Sequence, residues 1–149
     1  MVDRVSSAAR SAIMAAVRHE NTAPEKLARS QLFAAGYRFR LHRRDLPGSP
    51  DIVLPRHRLA IFVHGCFWHG HSCPRGRPPK SNVAFWTGKV ERNRARDAAS
   101  AAALTILGWR VRVIWACQVL EQIDEIIQML AQESGANRQP AHLDSAPIS

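Results

Sequence analysis

Residues 64–73 read HGCFWHGHSC, which places His64, Cys66, His69, His71 and Cys73 within ten positions. A third cysteine, Cys117, stands at the end of a separate alternating stretch. Thiolates and imidazoles are the donors that a closed, four-coordinate zinc site prefers. Three thiolates and one imidazole complete such a site and leave two histidines over. Spacing alone leaves open which imidazole ligates. A surplus histidine beside a metal loop is available for proton transfer. The competing reading, surface histidines around buried free thiols, is disfavoured by so tight a cluster. Three cysteines cannot all close into intramolecular disulfides, and in a reducing compartment cysteines grouped with histidines favour metal.

A second chemistry is written at Pro50-Asp51. A carboxylate at the start of a strand can hold a hard cation such as magnesium. Alone it reads as a turn aspartate. The run Phe62-Val63-His64 ends the next apolar segment one hairpin away, so Asp51 and His64 can share an edge. A cation that neutralises a phosphate, with an imidazole of ordinary pKa near 6.5, makes a workable phosphodiesterase site. Phe67, Trp68 and Trp86 lie in or just after the same irregular stretch. Such aromatics are either core or wedges of the kind that open base steps in DNA. Arg75, Arg77 and Lys80 add charge that seeks phosphate nearby.

The elements that position these groups follow from pattern. Residues 6–18 are Ala-rich with one apolar stripe at Ile13, Met14 and Val17, and read as a helix. Thr22 and Glu25 form a capping box, Pro24 fits the first turn, and Gly36 ends the second helix. Residues 37–41, 51–54 and 59–63 read as strands, with 42–50 a loop and 64–84 a long irregular one. Residues 85–107 read as a helix with a charged face, and Trp109 to Trp115 alternates as a strand. Residues 119–132 read as a final amphipathic helix. From Gly135 the chain is polar, and 135–149 reads as a disordered tail. The order α-α-β-β-β-α-β-α implies an α/β sandwich around a mixed sheet.

The 149 residues suit a single domain over 1–134. Lys and Arg outnumber Asp and Glu by 21 to 12, a formal charge of +9. That excess fits a polyanionic partner, most simply nucleic acid. No run is long and apolar enough to span a membrane, and no signal peptide is visible, so a cytoplasmic protein is expected.

With these residues in view the chain resembles the very short patch repair (Vsr) endonuclease family. The resemblance rests on 22–25 (TAPE), 46–51 (LPGSPD), 62–73 (FVHGCFWHGHSC) and 108–117 (GWRVRVIWAC). Phe85-Trp86, Asn93 and Arg96-Asp97 also look family-like, and the likeness covers about residues 6 to 120. It implies a restriction-endonuclease-like mixed sheet flanked by helices, with a structural zinc. It further implies a magnesium-dependent enzyme, with two ions, that nicks 5′ to the thymine of T:G mismatches left by deaminated 5-methylcytosine. By the same resemblance Asp51 is the magnesium ligand, with the backbone carbonyl of Val63 beside it. His69 is the general base, His64 supports the site, and Glu25 stands near the water or metal. Cys66, His71, Cys73 and Cys117 are the zinc set. Phe67, Trp68 and Trp86 insert beside the mismatch, and Met14 and Val17 contact the minor groove.

Glu25 keeps its rival reading as a helix cap. Val63 stands where some members have Thr, which a main-chain ligand tolerates. Ala116 stands where the family usually has Glu. The expected partner is mismatched duplex DNA, with repair-pathway proteins beyond it, and the chain acts as a monomer. A zinc-stabilised DNA-binding protein without catalysis is the main alternative, and Asp51, His64 and His69 argue against it. A double-strand nuclease is the other, and it usually needs a symmetric dimer.

Overall fold

The computed structural model describes residues 21–77 and 80–145, without the side chains of 75 and 136–145. The expected helix over 6–18, with Met14 and Val17, lies outside the described residues. Helix α1 (Ala23–Ala34) is followed by the short strand β1 (Arg40–Leu41), then β2 (Ile52–Leu54) and β3 (Leu59–His64). Helix α2 (Val83–Ile106) leads to β4 (Arg110–Trp115) and then to α3 (Val119–Ser145).

The start of α1 is capped as the sequence implies. Thr22 accepts the Glu25 amide at 3.4 Å, and Pro24 occupies the first turn. The return bond from Glu25 reaches one residue further back than in a standard capping box: its Oε2 accepts the amide of Asn21 at 2.9 Å. Gly36, at φ +92°, ends the helix, and Tyr37 donates back to the Leu32 carbonyl at 3.0 Å.

The four strands lie in the order β1-β2-β3-β4, antiparallel except for the parallel pair β3–β4. The parallel pair needs a crossover, and α2 supplies it. Alternation along the strands sorts the core onto two faces. Ile52, Leu54, Leu59, Ile61 and Ile114 pack with Ala28 and Leu32 of α1 and with Val119, Ile123, Ile126 and Leu130 of α3. Val53 and Ala60 point the other way, to Leu104 and Trp109 below α2. The result is a mixed sheet with helices on both faces, which bears out the α/β sandwich.

Several boundaries differ from the pattern. The strand expected over 37–41 is reduced to two residues, because Tyr37 is drawn back onto the end of α1. Strand β2 begins at Ile52, leaving Asp51 on the bend before it. Strand β3 includes His64. The loop after it holds a 3-10 turn at Pro74–Gly76. The last helix continues to Ser145, well past the stop expected at Gln132. Gln, Glu and Ala are good helix formers, and the one Gly costs only about 1 kcal/mol, so polarity alone does not end the helix at Gln132; Pro140 disfavours a helix interior, and nothing in the structure explains the continuation past it.

Candidate active site and metal centres

Three groups of metal-binding or titratable side chains gather around the end of β3. The first is Cys66, His71, Cys73 and Cys117, whose donor atoms all lie within 4.8 Å of one another. The loop is folded back to bring them together: His71 donates to the Cys66 carbonyl at 3.0 Å, and Gly76 to the Cys73 carbonyl at 3.0 Å. A Cβ at Gly76 would stand 1.9 Å from the His71 carbonyl oxygen, so only glycine permits this close approach. Cys117 arrives from the far side on the 3-10 turn Ala116–Gln118 that follows β4.

This set fits a metal ion. A tetrahedral ion with thiolates at about 2.3 Å and an imidazole at about 2.0–2.1 Å holds neighbouring S and N donors roughly 3.5 Å apart. Cys117 Sγ and His71 Nδ1 stand 3.5 Å apart. Packed together, the thiols also compete for protons. Burial pushes the Cys73 thiol up, but hydrogen bonds with His71, Cys66, the Gly76 amide and Cys117 outweigh it and bring it down to about 6. Burial, with Cys66 and Cys73 beside it, drives the Cys117 thiol up to about 11. A cation among these sulfurs removes that conflict. Trp115 stacks on the His71 ring at 4.2 Å and 16°, fixing the imidazole plane.

The second group is His64, His69 and Asp97. His69 Nδ1 is 2.6 Å from Asp97 Oδ2, a carboxylate carried by α2. The carboxylate accepts from Nδ1–H, which leaves Nε2 as the free acceptor. The His64 ring lies flat on His69, 3.8 Å away and 2° from parallel. His64 is buried, and its pKa falls to about 4, first through desolvation and then through the neighbouring His69, with Asp97 only partly opposing. His64 is therefore neutral at neutral pH, and the stack carries at most one positive ring. Trp115 meets His64 edge-on at 5.3 Å, so one indole touches both the thiolate group and the histidine stack.

The third group is Glu25, His42 and Asp51. Asp51 Oδ2 accepts the Val63 amide at 2.7 Å, and the His42 amide donates to the Asp51 carbonyl at 3.1 Å. The resemblance puts the Val63 carbonyl beside Asp51; the described bond is from its amide. Burial, with a smaller push from Glu25, raises the Asp51 carboxyl to about 6 against the opposing Val63 bond and the charges of His42 and Arg29. A buried carboxylate that resists ionisation is what a divalent cation would relieve, so this group also fits a metal. Glu25 is 2% exposed, and its Oε2 meets His42 Nε2 at 3.1 Å and Arg29 Nη2 at 3.1 Å. It thus serves the helix N-terminus and the cluster at once.

The sequence reading puts Asp51, His64, His69 and Glu25 in one site. The structure separates them into two clusters that join through adjacent residues of β3: Val63 holds Asp51, and His64 stacks on His69. Above them Phe67, Trp68 and Trp86 meet ring to ring at 5.1–5.5 Å, partly exposed and outside both core clusters. Asn93 Nδ2 holds the Trp68 carbonyl at 2.8 Å, and Lys89 lies over the Trp68 ring at 5.9 Å. Exposed Phe85 extends the group against Trp86 at 5.3 Å.

Sequence reasoning missed His42 and Arg29, and saw Asp97 only as helix charge and family likeness. The i, i+4 spacing of Glu25 and Arg29 was a signal for that pair. Nothing local marks His42, which stands at φ +46° and meets Glu25 across 17 positions.

Residues 2–75 match the sequence model of the family described as DNA mismatch endonuclease Vsr. The chain is 57% identical over 119 residues to the Type II nicking enzyme V.XorIIP of Xanthomonas oryzae pv. oryzae, covering 80% of this chain and 88% of that relative. It is 41% identical over 117 residues to the DNA mismatch endonuclease Vsr of Escherichia coli, covering 78% and 75%. It is 40% identical over 119 residues to the Type II nicking enzyme V.NmeAIP of Neisseria meningitidis, covering 80% and 85%. The chain belongs to the Vsr family of DNA endonucleases. Among the described residues no helix is long and apolar enough to cross a membrane.

Proposed function

We propose that this protein nicks one strand of duplex DNA 5′ to the thymine of a T:G mismatch, with magnesium at Asp51 and a structural zinc on Cys66, His71, Cys73 and Cys117, and so starts very short patch repair. The observation that carries the reading is the meeting at Val63-His64 of a carboxylate cluster and a histidine–carboxylate dyad, beneath a partly exposed aromatic trio. The fold is proposed to be restriction-endonuclease-like, with the protein acting as a monomer in the cytoplasm.

Magnesium bound here would neutralise the phosphate and the departing oxygen. Asp51 anchors it, oriented by the Val63 amide. His69 Nε2 takes the proton of the attacking water, and Asp97 holds Nδ1–H and balances the imidazolium that forms. His64, neutral and flat against His69, fixes the ring without competing for the proton. Phe67, Trp68 and Trp86 open the faulty step and stack on what they expose. Met14 and Val17 are proposed to contact the minor groove.

The test uses duplexes labelled on each strand, with T:G, T:A and the other mismatches, incubated with magnesium or a chelator. The expected result is one break, 5′ to the mismatched thymine, only with magnesium. Cutting of both strands, or of paired duplex equally well, rejects the proposal.

A further inference from the structure

Trp115 ends β4 directly beside His64, its partner in the parallel register with β3. It belongs to neither hydrophobic cluster. Among the described residues the rings it meets are three imidazoles. His71 stacks on it at 4.2 Å, His64 meets it edge-on at 5.3 Å, and His69 lies 6.4 Å away at 71°. These separations of the two edge-on rings are ones at which such aromatic pairs attract. The main chain is pinned as well. The Trp115 amide donates to Gln122 Oε1 at 2.6 Å, and Gln122 Nε2 donates to Gln118 Oε1 at 3.2 Å. A side chain from the first turn of α3 thus closes the turn that carries Cys117.

His69 and His71 flank Gly70, at φ +64°, and serve different groups. His69 Nδ1 lies 2.6 Å from Asp97, and His71 Nδ1 lies 3.5 Å from Cys117 Sγ. The bond to Asp97 fixes one nitrogen of His69 but not the plane of its ring. The plane is set by the His64 ring, 3.8 Å away and 2° from parallel. His64 takes its own setting from the rings around it, Trp115 at 5.3 Å and Phe62 at 6.0 Å. Of these two, Trp115 is the one that also leans on the thiolate group.

We propose that Trp115 is a positioning residue for the nicking reaction: braced by Gln122 and by His71, it sets the His64 ring and through it the plane of His69. This rests on the nuclease reading above. Groups that orient a metal ligand also tune what the site can do, and a reacting side chain is only as well placed as its supports. An ion in the thiolate group therefore bears on the alignment of His69 as well as on folding. Misplacing a reacting group by about 1 Å can cost roughly 10²-fold in rate.

The test uses the full chain loaded with zinc, with steady-state nicking of a T:G duplex, zinc content and melting temperature measured for each variant. Trp115→Leu should lower kcat by roughly 10²-fold while KM for the duplex moves less than about threefold, with zinc retained. Trp115→Phe keeps a flat ring and should recover most of that loss. Gln122→Ala leaves every ring in place and should give a smaller fall in kcat, again with zinc retained. Long-range nitrogen–proton NMR of the histidine rings, in mildly alkaline buffer without DNA, adds a readout independent of nicking. Wild type should show His69 with its proton on Nδ1 alone, and Trp115→Leu a mixture of the two tautomers. An unchanged kcat in Trp115→Leu overturns the proposal. So does a loss of kcat that follows zinc content across the variants, since Trp115 would then serve the metal centre alone. If Trp115→Leu does not fold, Gln122→Ala decides, and full kcat in that variant rejects the proposal. A wild type that does not nick the T:G duplex defeats the nuclease reading instead; the tautomer comparison still tests the placement of His69, and identical tautomers in both proteins would reject it.

Discussion

The thiolate group and the carboxylate group sit on either side of the same strand end, yet they are built in opposite ways. Around Cys66, His71, Cys73 and Cys117 every donor faces the others, glycine backbone seals the loop, and Trp115 clamps the imidazole. Around Asp51 the donors are divided among helix capping, an arginine and a main-chain amide. The first arrangement lets a bound ion tie distant segments together. The second holds a carboxylate in an environment that resists its charge. One region should supply stability and the other should consume it, as expected where function sets the electrostatics.

The sharpest way to break this contrast is to remove each anchor. Asp51→Asn should reduce nicking to background while mismatch binding stays within roughly tenfold, because a cation ligand is lost and not a DNA contact. Near wild-type nicking by this variant with magnesium would exclude Asp51 as the anchor. Next in size, His69→Ala should slow nicking by about 10² to 10⁴ with metal content unchanged. Cys117→Ala or His71→Ala should instead release metal and lower the melting temperature, since structural zinc contributes folding free energy. Elemental analysis separates the two outcomes. If His69→Ala loses the metal and His71→Ala keeps it, ligand and base are reversed.

Much of this was legible in the sequence, and the reasons are physical. Short-range patterns carried the capping box, the alternation of 59–63 and 109–115, and the density of donors in 64–73. Each depends on neighbours within one helical turn or one strand. The division of Asp51 and His69 into separate clusters was not legible, because it depends on partners far apart in the chain. Asp97 meets His69 across 28 positions, and His42 meets Glu25 across 17. No local period encodes such pairs. The last helix runs past Gln132 because polar composition is not by itself loss of helix: Gln, Glu and Ala all favour one.

A smaller effect sharpens the comparison from the stability side. The Asp51 carboxyl is raised from 3.8 to about 6. The folded protein therefore holds this proton more tightly than the unfolded chain does. Without divalent cation, that group's contribution is favourable at low pH and is lost as pH rises from about 4 through about 6. The difference amounts to on the order of 2–3 kcal/mol at neutral pH. Asp51→Asn should thus stabilise the magnesium-free protein at pH 7 and have little effect at pH 4. Denaturant midpoints at the two pH values measure it. An Asn variant less stable than wild type at pH 7 would show that Asp51 is a structural carboxylate and would erase the contrast between the two groups.

The smallest expected effect concerns Trp68, and it decides whether the aromatic trio belongs with the stabilising region or the working one. Its ring touches Phe67 and Trp86 but no member of either buried cluster. Truncating a core aromatic costs about 3–5 kcal/mol of stability. Truncating a surface ring that stacks on bases costs about 1–3 kcal/mol of binding. Opening a step is cheaper where pairing is already faulty, so a lost wedge weakens the preference for a mismatch more than it weakens general binding. Trp68→Ala should therefore reduce discrimination between T:G and T:A duplexes by roughly tenfold, within that stacking range, and leave the melting temperature nearly unchanged. Asn93→Ala frees the Trp68 carbonyl but keeps the ring, and should lose part of the same discrimination. Both readings come from one sample, by competition binding and by thermal unfolding. A large fall in melting temperature with discrimination intact would place Trp68 among the residues that hold the fold, and the wedge would have to be sought elsewhere.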